Sequence, residues 1–317
     1  FGWLSVHPSG EEPPLASNVN FRAGQTVPNL VVAKLGGDGR VVLTNGHGSA
    51  QVVVDVMGYL SPQMGSALLP LSPARLLDTR DGTGRAGSLR PLGRGGRHDL
   101  VVLGRGGVPA AGVDAVVLNV TATEPTVGGY LTVWPSGHPQ PHASNLNFDG
   151  GDTVANLVVA KVGDDGRVSI ANAWGTTHVV ADVVGCFVGG GVGSRHVALT
   201  PNRILDTRDG TGRAGAGHLS SMEVIDLAVA GRGGVPSEGV EAVVFNLTVA
   251  EPSGWGYVTV FPRGQAPPLA SNLNFDAGDT RANLVVAKVG DGGEVSILNA
   301  SPGCHLVADV AGYFTVA

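Results

Sequence analysis

The chain repeats itself with a spacing of 127 residues, and any fold it adopts has to accommodate that period. The segment SNVNF at Ser17–Phe21 returns as SNLNF at Ser144–Phe148 and at Ser271–Phe275. PNLVVAKLG from Pro28 returns as ANLVVAKVG from Ala155 and Ala282, and VVVDVMGY, VVADVVGC and LVADVAGY follow in step, ending at Tyr59, Cys186 and Tyr313. DTRDGTGRAG stands at Asp78–Gly87 and unchanged at Asp206–Gly215, and GRGGVP at Gly104–Pro109 and Gly231–Pro236. The 317 residues therefore hold two and a half copies. Residues 1–62 match only the second half of a copy: FGWLSVHPSG aligns with GGYLTVWPSG from Gly128 and with WGYVTVFPRG from Trp255. The expected division is a partial repeat at 1–62 and complete repeats at 63–190 and 191–317. The period is too long for common solenoids or propeller blades and is the size of a domain, so each copy is expected to close its own small core. A sequence that begins inside a repeat is expected to be part of something longer, so residue 1 is no place to look for a targeting signal.

Composition fixes the class. Gly contributes 50 residues and Pro 20, yet 43% of the chain is hydrophobic and only 15% charged, the reverse of a disordered chain. There is no G-X-Y period and hence no collagen helix. Net charge is −6, so no basic footprint points to nucleic acid, and no apolar run reaches the roughly 20 residues of a membrane-spanning helix. The second copy reads as short strands between Gly, Pro, Asn and Asp turns, at about Arg75–Asp78, His98–Gly104, Ala115–Thr123, Tyr130–Trp134, Ser144–Phe148, Ala155–Val162, Val168–Ala173 and His178–Phe187. Leu118-Asn119-Val120-Thr121 alternates, as a strand with one apolar and one polar face does. The fold expected is all-β, a tandem of antiparallel β-sandwich or jelly-roll-like modules.

The most site-like feature is the Asp-Thr-Arg-Asp-Gly-Thr-Gly loop. Asp78 with Asp81, and Asp206 with Asp209, offer oxygen ligands that calcium would accept, although the spacing lacks the EF-hand pattern and its terminal Glu. In the competing reading, Arg80 and Arg208 bridge neighbouring carboxylates and fasten the loop. Asp78, Arg80, Asp81, Asp206, Arg208 and Asp209 are the candidate ligand-binding residues on this ground. Asp55, Asp182 and Asp309 lie inside apolar strands and must be exposed or paired, with Lys34, Lys161 and Lys288 or with the strand arginines Arg75 and Arg203. Trp174, in a Gly-flanked loop, is the candidate exposed aromatic, and its counterparts are His47 and Ser301. Asn18, Asn145 and Asn272 are expected to bond their own backbone at turns. Asn119, Asn246 and Asn299 fit glycosylation sequons but read as sheet residues.

No catalytic constellation is visible: there is no G-x-S-x-G, H-E-x-x-H or P-loop, and neither Cys186 nor Cys304 is a repeated position. The ordered string of RLLDTR, GRGGVP, LNVT, SNLNF, NLVVAK and ADV-GYF motifs resembles repeat modules of secreted and surface proteins of bacteria, especially actinobacteria. That resemblance implies an extracellular accessory module joined to hydrolases, peptidases or other exported parts, and brings no catalytic residue with it. The expected function is non-enzymatic and lectin-like: binding cell-surface or cell-wall glycans to target a larger secreted assembly, a hydrolase or an antibacterial toxin particle, with multivalency compensating weak sites. A stalk, filament or surface-layer subunit is the alternative, and a glycan hydrolase or lyase the third reading. No cofactor is expected beyond the calcium option.

Overall fold

The computed structural model describes all residues except 62–64, 87, 191, 192 and 317. Among them the chain is all-β, with one short 3-10 turn at Asp291–Gly293. Two four-stranded antiparallel sheets have the same layout. In one the order is Arg97–Val101, Arg167–Asn172, Gly129–Pro135, Leu146–Phe148; in the other it is Val224–Ala228, Glu294–Asn299, Gly256–Pro262, Leu273–Phe275. Each packs on one half of a shared sheet. The first half holds Ala67–Asp78, His178–Val188, Val113–Thr123 and Thr153–Lys161; the second holds Ser194–Asp206, Gly303–Val316, Val240–Ala250 and Arg281–Lys288. The halves join where Ser194 pairs with Leu68. Two antiparallel sandwiches result, each with its own apolar core: Leu118, Leu131 and Ile170 in one, Phe245, Val258 and Ile297 in the other.

Two local readings are corrected. Only Leu146–Phe148 of the SNLNF segment pairs as a strand. Asn145 instead turns its side chain across the gap, where its Oδ1 accepts from the backbone of Val133 at 2.7 Å; Asn18 does the same for Val6 and Asn272 for Val260. These asparagines stand in for a backbone acceptor of the neighbouring strand rather than closing their own turn.

The second correction concerns the expectation that each copy closes its own core, and it shows on the polar face of the central strands. Asn119 is 1% exposed and Thr121 4% exposed, so that face is buried. What covers it is the next copy. A third apolar cluster draws Leu68, Val117 and Leu157 from the second copy, Ala242, Val244 and Leu284 from the third, and Leu30 and Val32 from the first. The cores of the copies are therefore separate but not independent.

Asparagines organise this second interface. The Nδ2 of Asn283 donates to Asn119 Oδ1 at 3.0 Å and to Asn272 O at 2.6 Å, while its Oδ1 accepts from Leu157 N at 3.1 Å; Asn119 Nδ2 in turn donates to Ser271 O. The same set joins the first copy to the third: Asn29 Nδ2 donates to Asn246 Oδ1 at 2.9 Å, Asn29 Oδ1 accepts from Leu284 N at 3.0 Å, and Asn246 Nδ2 donates to Ser17 O at 2.6 Å. The pattern runs from first copy to third and from third to second. Asn156 is the member that would carry it from second to first. Its Nδ2 reaches Asn145 O at 2.6 Å, but its Oδ1 is buried without a partner among the described residues.

The first copy lies open. It keeps one three-stranded sheet, Val19–Phe21, Gly2–Pro8 and Val41–Asn45. Residues 51–60 match the strand His178–Val188 in sequence but form no ladder, and Val53, Val56 and Tyr59 are more than four-fifths exposed. In the second copy that strand lies between Ala67–Asp78 and Val113–Thr123.

The interface predicts unequal costs for two equivalent substitutions. Asn283→Ala strips partners from Asn119, Leu157 and Asn272 and should destabilise by about 2–4 kcal/mol, whereas Asn156→Ala, which loses one donated bond, should cost about 1 kcal/mol. Urea unfolding of the two variants side by side measures the difference.

Candidate functional site

The Asp-Thr-Arg-Asp loops follow directly on the strands that carry Arg75 and Arg203. Arg75 spans two carboxylates: its Nε and Nη2 donate to both oxygens of Asp182 at 2.9 and 3.1 Å, and its Nη1 to Asp78 Oδ2 at 3.2 Å. Asp78 also accepts from Arg80 Nε at 3.0 Å, from Arg80 Nη2 at 2.7 Å and from the Arg80 backbone at 3.0 Å. Arg203, Asp309, Asp206 and Arg208 reproduce the arrangement. Asp81 and Asp209 stand apart, each accepting from the backbone two residues on, at Thr83 and Thr211. The strand aspartates of these two copies are thus matched by arginines and not by lysines; Lys34 pairs with Glu11 at 2.9 Å. A calcium ion does not fit this donor set, because the oxygens of Asp78 and Asp206 are already faced by guanidinium groups.

Glycine closes these loops. Gly84 and Gly212 have φ of +76° and +80°, and a Cβ on either would strike the carbonyl of Leu76 or Ile204. Burial pushes the Asp78 and Asp206 carboxyls up, but the arginine hydrogen bonds outweigh it and hold both below the ordinary value. Asp182 and Asp309 are buried more deeply; there burial wins over Arg75 and Arg203, and their carboxyls are raised. Asp78 with Arg80, and Asp206 with Arg208, form a fastening in which both oxygens of each buried acid meet guanidinium groups.

The candidate binding site lies elsewhere, where one loop from each of the three copies converges. A cavity of about 290 Å³ is lined by Asn20, Asn147 and Asn274, by Gln25, Asp152 and Asp279, and by the chain at Pro28, Ala155 and Ala282, all spaced by the repeat. The volume is at the lower end of the range typical of small-molecule pockets. Charge is distributed unevenly around it. Arg22 meets Asp279 at 3.4 Å, and Arg281 holds Asp279 at 3.0 Å and approaches Asp152 at 4.0 Å. Tyr130 and Gly129 form part of the wall of the second copy. Trp174 is anchored beside them: Ala173 N donates to Tyr130 O at 3.1 Å, and the Trp174 Cβ packs near Gly129. The Trp174 ring is half exposed and carries the Arg94 guanidinium 4.3 Å from its centroid.

The candidates from sequence therefore separate. Neither Trp174 nor the Asp78 and Asp206 loops are among the residues that line the cavity, but Trp174 packs against Gly129, which is. Lining residues such as Asn147, Asp152 and Arg281 escape sequence reasoning because the loops that meet are 127 residues apart. Asn299, Asn119 and Asn246 are all buried, as sheet residues would be. Cys186 and Cys304 are free and buried, and burial pushes both thiols up to about 11.

No protein-family model and no curated protein matches the chain. Among solved structures, it is similar over 79% of its length to the whole of the N-terminal CBM22-1-CBM22-2 tandem domain of Xyn10C from Paenibacillus barcinonensis, at 10% identity and a TM-score of 0.23. It is similar over 80% of its length to 72% of the infectious bursal disease virus VP2 chain, at 10% identity and a TM-score of 0.17. TM-scores this low carry neither topology nor function.

The clasp predicts a hierarchy. Arg75→Met leaves two buried carboxylates without their shared cation and should cost about 3–5 kcal/mol, while Arg80→Met, at an exposed guanidinium, should cost about 1 kcal/mol. Because Asp78 lies below its ordinary 3.8 in the fold, its contribution is complete above about pH 4 and is lost as the pH falls through the lower folded value. Asp182, raised by burial, titrates first and favours the fold more once protonated. Acid unfolding of Asp78→Asn should therefore be less steep below pH 4 than that of the unaltered chain, as read by circular dichroism.

Proposed function

We propose that the chain is a non-enzymatic, extracellular glycan-binding protein whose site is the cavity at the meeting point of the three copies. The observation that carries this reading is the lining: amides, carboxylates and two arginines beside Tyr130, with Trp174 half exposed next to Gly129 of the wall. Hydroxyl-rich ligands are held by that combination, with planar donors and acceptors on sugar edges and aromatic rings against their apolar faces. The paired state of Asp78, Asp182, Asp206 and Asp309 supports a structural rather than catalytic use of the buried acids. Cell-wall or cell-surface glycan is the ligand class, and a larger secreted assembly is the setting in which such a module would act as an address.

The glycan reading is tested on a glycan array and with purified peptidoglycan, followed by calorimetry on the best saccharide. Saturable binding is expected, weakened about tenfold by Tyr130→Ala or Trp174→Ala through loss of roughly 1.4 kcal/mol of ring contact, and unchanged by Asp81→Asn. No saturable binding to any saccharide contradicts it.

A further inference from the structure

The third copy brings together three side chains that the second copy does not. His218 precedes the two-residue strand Leu219–Ser220, Glu251 follows the strand Val240–Ala250, and His305 lies in Gly303–Val316, opposite Ala250 in the ladder. One ligating atom from each lies within 4.8 Å of the other two. The imidazole rings meet edge to face with centroids 4.0 Å apart. Among the described residues, neither the His218 ring nor the Glu251 carboxylate makes a hydrogen bond, and both residues are exposed.

We propose that His218, Glu251 and His305 hold one divalent transition-metal ion, zinc by chemistry, with the fourth position left to solvent. Two imidazoles and one carboxylate are a zinc donor set, whereas calcium and magnesium take all-oxygen shells. A tetrahedral ion with bonds of about 2.1 Å keeps its ligand atoms about 3.4 Å apart, so the two exposed side chains need to close by about an ångström. His305 is already oriented. Its Nδ1 lies 2.9 Å from Thr207 Oγ1, which in turn accepts from Leu306 N at 3.0 Å. With the proton on Nδ1 donated to that hydroxyl oxygen, Nε2 is the nitrogen left for the metal, as in sites where an outer partner sets the tautomer. Glu251 is held at the turn with φ of 51°, a left-handed conformation uncommon outside glycine.

The second copy is a built-in comparison. It retains the Thr79–His178 contact at 2.9 Å and Glu124 with φ of 54°. Leu92, bridged to Thr177, occupies the place that Leu219, paired with Cys304, holds in the third copy. The residue before Leu92 is Pro91, where the third copy has His218, so that copy has two of the three ligands. Bound metal would tie the short Leu219–Ser220 strand to the end of the sandwich.

Zinc chloride alone is the probe, in equilibrium dialysis with chelator-treated protein. The natural chain should bind one equivalent saturably. His218→Ala, an exposed change that leaves the circular dichroism intact, should weaken binding at least tenfold, and Pro91→His should raise the stoichiometry to two. Absence of saturable zinc binding by the natural chain, or binding that survives His218→Ala and His305→Gln together, overturns the assignment.

Discussion

The structure depends on a requirement of polar groups: an amide buried on the second face of a sheet must find partners, and here the partners belong to another copy. Asn283 meets Asn119 and Leu157, and Asn29 meets Asn246 and Leu284. Burying Asn119 and Asn246 against anything apolar would leave their amides unmatched, at about 1–3 kcal/mol each. The hydrogen bonds therefore set the register between copies, and the apolar cluster of Leu68, Val117, Val244 and Leu284 supplies the burial around them. The central cavity follows, since the loops that line it lead directly into the segments carrying Asn29, Asn156 and Asn283.

The arginine clasps solve a different problem within each copy. A carboxylate in the middle of an apolar strand is tolerable only with a cation of matching shape, and a planar guanidinium can serve two acids at once. Arg75 and Arg203 do so, joining the first strand of the shared sheet's half to its neighbour and to the loop that follows. Residues 51–60 of the first copy carry Asp55 in the same valine-rich setting and form no ladder.

Much of this was legible from periodicity. Alternating Val-rich runs and Gly-Asn-Asp turns gave the strands and the all-β class, and the need to pair Asp182 and Asp309 pointed to Arg75 and Arg203 among its options. The alternation at Leu118–Thr121 gave the two faces but not what covers the polar one, because a polar face against water and one against another copy have the same period. Asn145 reads as a bonding residue from its type and position, but its partner Val133 is set by tertiary placement. The cavity was hidden because its lining is assembled from distant loops. His218 was hidden for the opposite reason: it breaks the repeat, standing where the second copy has Pro91.

The claim that asparagine contacts bind the copies together is tested most directly by amide hydrogen exchange at three equivalent leucines. Leu157 N and Leu284 N donate to Asn283 and Asn29, whereas Leu30 N makes no such bond among the described residues. The account predicts that Leu157 and Leu284 exchange as slowly as the sandwich cores and that Leu30 exchanges much faster. Equal, rapid exchange at all three would contradict it.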